Sequence, residues 1–538
     1  MRNNGKIPFF LAVSAVAVLC LSAASPPNWE AAGKAWWKHV QYLASDDLEG
    51  RNVGSPGYEK AASYVSAQFE MAGLKPAGSD GFFQRVVFVE SSIDPSRSHL
   101  ALVRDGRTQS IAVPGEAQLG YSQQSAASIT APVVFAGYGL VIPEAQYDDL
   151  KSLPVKGAIV AYLSGGPAKI DGNLRSHYSS GEERWKSLRA AGAVGTIAIQ
   201  NPTTMEIPWT RQASTWGMPA MSLADPSLQT NAGKKFSASW DPAKADDLLA
   251  GSGHNFSEIR EAADHQTPMP HFVLPAHIQA TLATSAKQIN SKNVVGVRPG
   301  TDPKLRSEYV VISAHLDHLG VGKPVNGDSI YNGAMDDASG VASVMEIAKA
   351  LHKQQLATRR SILFLAVTGE EKGELGSTYF ASYPTVKGRI VVDLNMDMFL
   401  PLFPLKWLEV QGLNESTLGG DIRAVAEAAG VNVQADKEPN RNRFIRSDQY
   451  SFIKKGVPAL AFKFGYIPGG EEERKFKDWY SKRYHGVSDD LSQPVDLAAA
   501  AQFNALLQSL AIRVADAPAA PHWNSQSFFR RFAQADGH

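Results

Sequence analysis

Ser313-Ala-His315-Leu-Asp317-His318-Leu-Gly320, Gly333-Ala-Met-Asp336-Asp337-Ala-Ser-Gly340 and Thr368-Gly-Glu370-Glu371-Lys-Gly-Glu374-Leu-Gly376 decide how this chain is read. Each follows an apolar run or opens a helical pattern. Residues 308–315 and 361–367 are apolar enough for buried strands. Residues 338–354 repeat Val341, Val344/Met345, Ala348 and Leu351 along one helical face. Residues 389–394 and 457–462 are further buried-type strands, and 495–514 reads as an amphipathic helix. Strands alternating with helices predict an α/β fold with a mostly parallel central sheet and helices on both faces. Such sheets carry their sites beyond the carboxyl ends of the strands. His315, Glu370, Glu371 and Asp397 all fall there.

Taken singly, these pieces say little. A Gly-x-x-Asp-Asp turn is commonly a helix cap, and a Glu-Glu pair is commonly a solvated surface. Their order changes that. Asn395-Met-Asp397 follows another apolar strand, and Tyr484-His485-Gly-Val-Ser-Asp489 follows a polar, aromatic loop. Two histidines and several carboxylates are therefore delivered to one region. Such a set suits a pair of zinc ions, which need nitrogen and oxygen ligands, one shared carboxylate and one carboxylate kept off the metals as a base. Asp317, two residues after His315, is placed to orient the imidazole.

As an ordered set, these motifs resemble the co-catalytic di-zinc exopeptidases, the family of bacterial leucyl aminopeptidase and glutamate carboxypeptidase II. The resemblance covers residues 293–515. It extends to Leu43-Ala-Ser-Asp-Asp-Leu-Glu-Gly-Arg51 and Gly54-Ser-Pro-Gly57. It implies that His315 and Asp397 bind one zinc, that Glu371 and His485 bind the other, and that Asp336 bridges both. It further implies that Glu370 is the general base, that Asp317 orients His315, that Tyr484 faces the oxyanion, and that Asp489 partners His485. His318 is not a ligand in that family. Gln449 stands where many relatives have His. The function implied is a zinc aminopeptidase acting on peptides. A carboxypeptidase or dipeptidase, with Arg441, Arg443 and Arg446 as candidate anion binders, stays open, as does a non-catalytic receptor-like protein.

With 538 residues, more than one core is expected. Between 115 and 285 the composition shifts to short strands bounded by Gly and Pro, without a ligand-spaced cluster. Phe135-Ala-Gly-Tyr-Gly139 and Val155-Lys-Gly-Ala-Ile-Val160 resemble the protease-associated domain, a β-rich insert. The expected division is a signal peptide (1–24), an N-terminal part of the peptidase domain (25–114), the insert (115–285) and the main part of the peptidase domain (286–538). Lys plus Arg and Asp plus Glu both number 53, which gives no electrostatic case for nucleic acid. Arg2 and Lys6 precede an apolar run over 7–21 and then Ser22-Ala-Ala24, the pattern of a cleaved secretory signal. The run is short for a span. Export to the periplasm or beyond, without stable membrane association after cleavage, is the expectation. Cys20, the sole cysteine, lies in that run, so no disulfide is expected in the mature chain.

Overall fold

The computed structural model describes residues 27–533, apart from Glu206 and Asn442. The signal-peptide reading and Cys20 lie outside the described residues. Glycine and proline breaks separate the long apolar runs into two sheets. The main sheet comprises β1 (Phe83–Ile93), β2 (Ala220–Leu223), β3 (Thr284–Arg298), β4 (Glu308–His315), β5 (Ser361–Val367), β6 (Arg389–Asn395), β7 (Trp407–Gln411), β8 (Asn432–Ala435) and β9 (Ala459–Phe464), in the order β2-β1-β3-β5-β4-β6-β9-β7-β8. Strands β5, β4, β6 and β9 run parallel. The flanking pairs β3–β5 and β7–β9 are antiparallel.

Buried on both sides, the central strands divide their residues by alternation. Val310, Ile312, Ile362 and Phe364 belong to one core, and Val311, Leu363 and Leu365 to the opposite one. The first face carries α1 (Trp29–Leu43), α2 (Pro56–Met71), α3 (Ser339–Lys353) and the C-terminal α6 (Leu497–Asp516). The second carries α4 (Leu375–Ser382), through Phe380. Helix α5 (Glu471–Lys482) adds Phe476, Trp479 and Tyr480 to the first core. Although α6 is apolar enough to cross a membrane, 61% of its apolar window is buried within the protein. Its length reflects a helix apolar nearly all round, packed against α1 and α3.

An eight-stranded second sheet runs from His99 to Thr281 and has its own core of Leu102, Phe135, Ile159, Ile197 and Trp240. It begins earlier than the expected boundary at 115. The reason is the β1–β3 ribbon, paired from Phe83↔Val294 to Ile93↔Thr284, which leaves the main sheet at Ile93. The strands His99–Arg104 and Arg107–Ile111 therefore join the second sheet. Strand β2, from within this segment, crosses back to pair with β1.

Candidate active site

Three strands end at one edge of the main sheet, where the start of α3 and the loop after α5 join them. Strand β4 ends on His315, and Asp317 and His318 follow it into fully buried positions. Glu370 and Glu371 occupy the turn after β5, and Asp397 lies just beyond β6. Asp336 precedes α3, across a cis peptide from Asp337. His485 comes from the loop after α5 and has a left-handed φ of 52°.

These side chains converge around Asp336. His315 Nε2 is 3.1 Å from Asp336 Oδ1 and 3.7 Å from Asp397 Oδ1. His485 Nε2 is 3.2 Å from Asp336 Oδ2 and 3.2 Å from Glu371 Oε2. The two oxygens of Asp336 thus face two separate His–carboxylate groups. Asp337 groups with His315 and Asp397, and His318 with Asp336 and Glu371, closely enough to hold a metal. Asp337 accepts hydrogen bonds from the amides of Gly340 (2.9 Å), His315 (3.3 Å) and Met398 (3.3 Å). His318 Nδ1 lies 2.7 Å from Glu371 Oε1, the oxygen turned away from His485. It stands as a further nitrogen beside that carboxylate.

Buried His315 Nε2, Asp336 Oδ2, Glu371 Oε1 and Asp397 Oδ1 make no hydrogen bond. Polar atoms so deeply buried are normally paired. Here lone pairs face one another, as they would around cations, and the donors are the His nitrogens and carboxylate oxygens that zinc takes. The charges agree. Burial opposes ionisation of Asp336, yet the adjoining His315 and His485 imidazoles hold it well below the usual carboxylate range. His485 is pushed up to about 10, because Glu371 and Asp336 outweigh its desolvation. Stripping metal with a chelator should lower stability, by about 2.7 kcal/mol relative to protein at free zinc a hundredfold above Kd. Calorimetric melting with and without chelator checks this, and identical melting curves would contradict it.

The supporting contacts differ from the sequence expectation at two positions. His315 Nδ1 bonds the backbone carbonyl of Asp317 at 3.0 Å, not its side chain. The Asp317 carboxylate accepts from the amides of Glu370 (3.1 Å) and Glu371 (3.3 Å), so it fixes the Glu-Glu turn. Asp489 does not reach His485. It accepts from the amides of Met335 (3.0 Å) and Asp336 (3.0 Å) and holds the bridging loop. In both cases the carboxylate goes where buried amides need acceptors. Tyr484 shares a cavity of about 230 Å³ with Glu370, Glu371, Glu374 and His485, and its ring lies 4.1 Å from that of His485. Sequence reasoning did not find Lys463, whose buried ammonium donates to the Asp397 carbonyl at 3.0 Å. Gln449 accepts from Asn395 Nδ2 (2.7 Å) and donates to the Phe444 carbonyl (2.9 Å), tying the end of β6 to the cavity wall.

Arg51 closes the back of the site. Fully buried, it donates to the carbonyls of Leu316 (3.0 Å), Asn332 (2.6 Å), Gly333 (3.0 Å) and Leu43. Its turn is left-handed at Glu49, Gly50 and Arg51. A Cβ on Gly50 would come within 2.2 Å of the Tyr331 carbonyl, so only glycine fits against that strand. The Gly-Arg pair in the turn-rich loop was the available signal.

An α/β sheet with a doubled His–carboxylate set at the carboxyl edge of its parallel strands defines a candidate metallohydrolase. Residues 293–511 match the model of Peptidase family M28. A "probable leucine aminopeptidase 2" from Aspergillus oryzae is 28% identical over 273 residues, 48% of this chain and 52% of the relative. A "probable zinc metalloprotease" from Pyrenophora tritici-repentis is 28% identical over 239 residues, 38% and 48% of the two chains. The chain thus spans about half the length of these curated relatives. In fold it is similar to an aminopeptidase from Aneurinibacillus sp. strain AM-1, with a TM-score of 0.53, 19% identity, and coverage of 91% of this chain and 95% of that one.

Proposed function

We propose that this protein is an exported zinc aminopeptidase that removes N-terminal residues from peptides by a two-metal mechanism. The observation that carries the reading is Asp336, whose two oxygens each face a separate His–carboxylate group beside a cavity lined by Glu370. His315 and Asp397 would hold one zinc, Glu371 and His485 the other, and Asp336 both. Bound zinc supplies Lewis acidity and acidifies water at neutral pH. Glu370 takes the proton of the attacking water on its carboxylate and returns it to the leaving amine. The Tyr484 hydroxyl donates to the developing oxyanion. Asp317 keeps Glu370 and Glu371 in register, and the buried wall excludes bulk water. The names of the Aspergillus and Pyrenophora relatives support aminopeptidase and zinc chemistry.

Arg441 and Arg443 both pair with Glu438, at 3.0 and 2.9 Å, while Arg443 and Arg446 line the cavity, so the peptide test below also separates an aminopeptidase from a carboxypeptidase. Export rests on the apolar run of residues 7–21 with its small-residue cleavage pattern. The second sheet is read as a protease-associated insert. It reaches the site through Arg211, whose guanidinium donates to the Tyr484 carbonyl at 2.8 Å. The test is hydrolysis of matched free and N-acetylated peptides, with zinc content measured on the same protein. Cleavage of free-amine peptides with two zinc ions per chain is expected. Cleavage of only the acetylated series would overturn the aminopeptidase reading.

A further inference from the structure

Glu374 lines the cavity alongside Glu370, Tyr484 and His485. Its backbone is occupied: its N–H bonds the Glu370 carbonyl at 2.9 Å, and its own carbonyl accepts from Thr378 N–H at 3.0 Å and the Ser377 hydroxyl at 3.0 Å. The residue sits at φ 52°, in the left-handed region, which non-glycine residues adopt only occasionally. The turn aims a carboxylate at the cavity, and that carboxylate has no hydrogen bond or ion pair among the described residues. Lys454 and Arg446 attract it without forming an ion pair. Lys454 pairs with Glu182 at 3.0 Å, and Arg446 donates to the Arg441 carbonyl at 3.0 Å. A half-buried carboxylate without a partner is costly unless something charged completes it.

We propose that the Glu374 carboxylate is the docking point for a cationic nitrogen of the peptide substrate, foremost its free α-ammonium group. The proposal rests on the peptidase reading, because an aminopeptidase must seat a free ammonium beside its scissile bond. Neither metal group has a carboxylate to spare for it: Asp336, Glu371 and Asp397 face the histidines, and Glu370 is the base. Burial pushes Glu374 up to about 7, and a bound ammonium would favour the ionised form. A basic substrate side chain offers the same chemistry and is the other possible source of the charge.

Binding separates these possibilities without turnover. In zinc-loaded full-length protein carrying Glu370→Gln, calorimetry would compare leucinamide, N-acetyl-leucinamide and N-acetyl-lysinamide before and after adding Glu374→Gln. The expected result is about tenfold weaker binding of leucinamide, unchanged N-acetyl-leucinamide, and unchanged zinc content. Loss confined to N-acetyl-lysinamide would assign the docking point to a basic side chain. Glu374→Asp, which keeps the charge, should retain most of the affinity and serves if the Gln variant folds poorly. Equal binding of all three ligands with and without the carboxylate would overturn the proposal. A protein that shows the expected binding loss but cleaves no peptide in the hydrolysis panel would overturn the peptidase reading and leave the docking point standing.

Discussion

Glu370→Gln should reduce turnover by ~10²–10⁴-fold while both zinc ions remain bound. Glu370 is close to the donor groups without belonging to either. The short contacts around the two histidines run to Asp336, Asp397 and Glu371. Its side chain lines the cavity, and its amide is pinned by Asp317 Oδ1 at 3.1 Å. Burial, reinforced by Asp397, Glu371 and Asp448, pushes its carboxyl well above the usual range against the pull of His315. That is the direction a proton acceptor working near neutrality requires. Gln keeps the shape and removes the basic oxygen, so the loss should fall on kcat. The measurements are single-substrate kinetics and elemental analysis of the same preparation. Loss of zinc along with activity would make Glu370 a ligand, and unchanged turnover would remove it from the mechanism.

The sequence made legible those residues whose position follows from the ends of strands. His315 ends β4 and Asp397 follows β6, and a parallel sheet sends both to one edge. What it did not disclose depends on long-range pairing. Asp317 was read through its nearest neighbour in sequence, yet its carboxylate is drawn to amides more than fifty residues away in sequence. Asp489 likewise reaches the Met335 and Asp336 amides across the domain rather than the adjacent His485. His318 is not a ligand in the family that the motifs resemble, and no local pattern shows that it lies beside Glu371. The early start of the second sheet was hidden for a similar reason. Residues 83–93 and 99–111 share strand composition, and only the ribbon with β3 decides which sheet each joins. Glu374 stands at the start of α4 by its backbone, and nothing in its local sequence tells where its side chain goes.

Arg51→Met should cost roughly 3–5 kcal/mol of stability and weaken zinc binding, although Arg51 touches neither donor group. A buried acceptor left without its donor costs about 1–3 kcal/mol, and this guanidinium serves the carbonyls of Leu43, Leu316, Asn332 and Gly333 together. Two of those carbonyls bracket the site. Leu316 lies between His315 and Asp317, and Gly333 opens the loop that carries Asp336. Removing the fork therefore frees both loops at once. The loss is partly offset because burial holds the Arg51 charge at a penalty, lowering its pKa to about 10. Against that penalty stand the charges of Asp489, Asp317, Asp337 and Asp336, which favour the cation. Arg51→Lys separates the two contributions: it keeps a charge but presents a point donor instead of a planar fork, so it should recover part of the zinc affinity and little of the stability. Urea unfolding with saturating zinc reads the stability, and competition against a chelator reads the zinc affinity. A Met variant that unfolds at the wild-type urea concentration and holds zinc equally well would show that the two loops are positioned by their own packing.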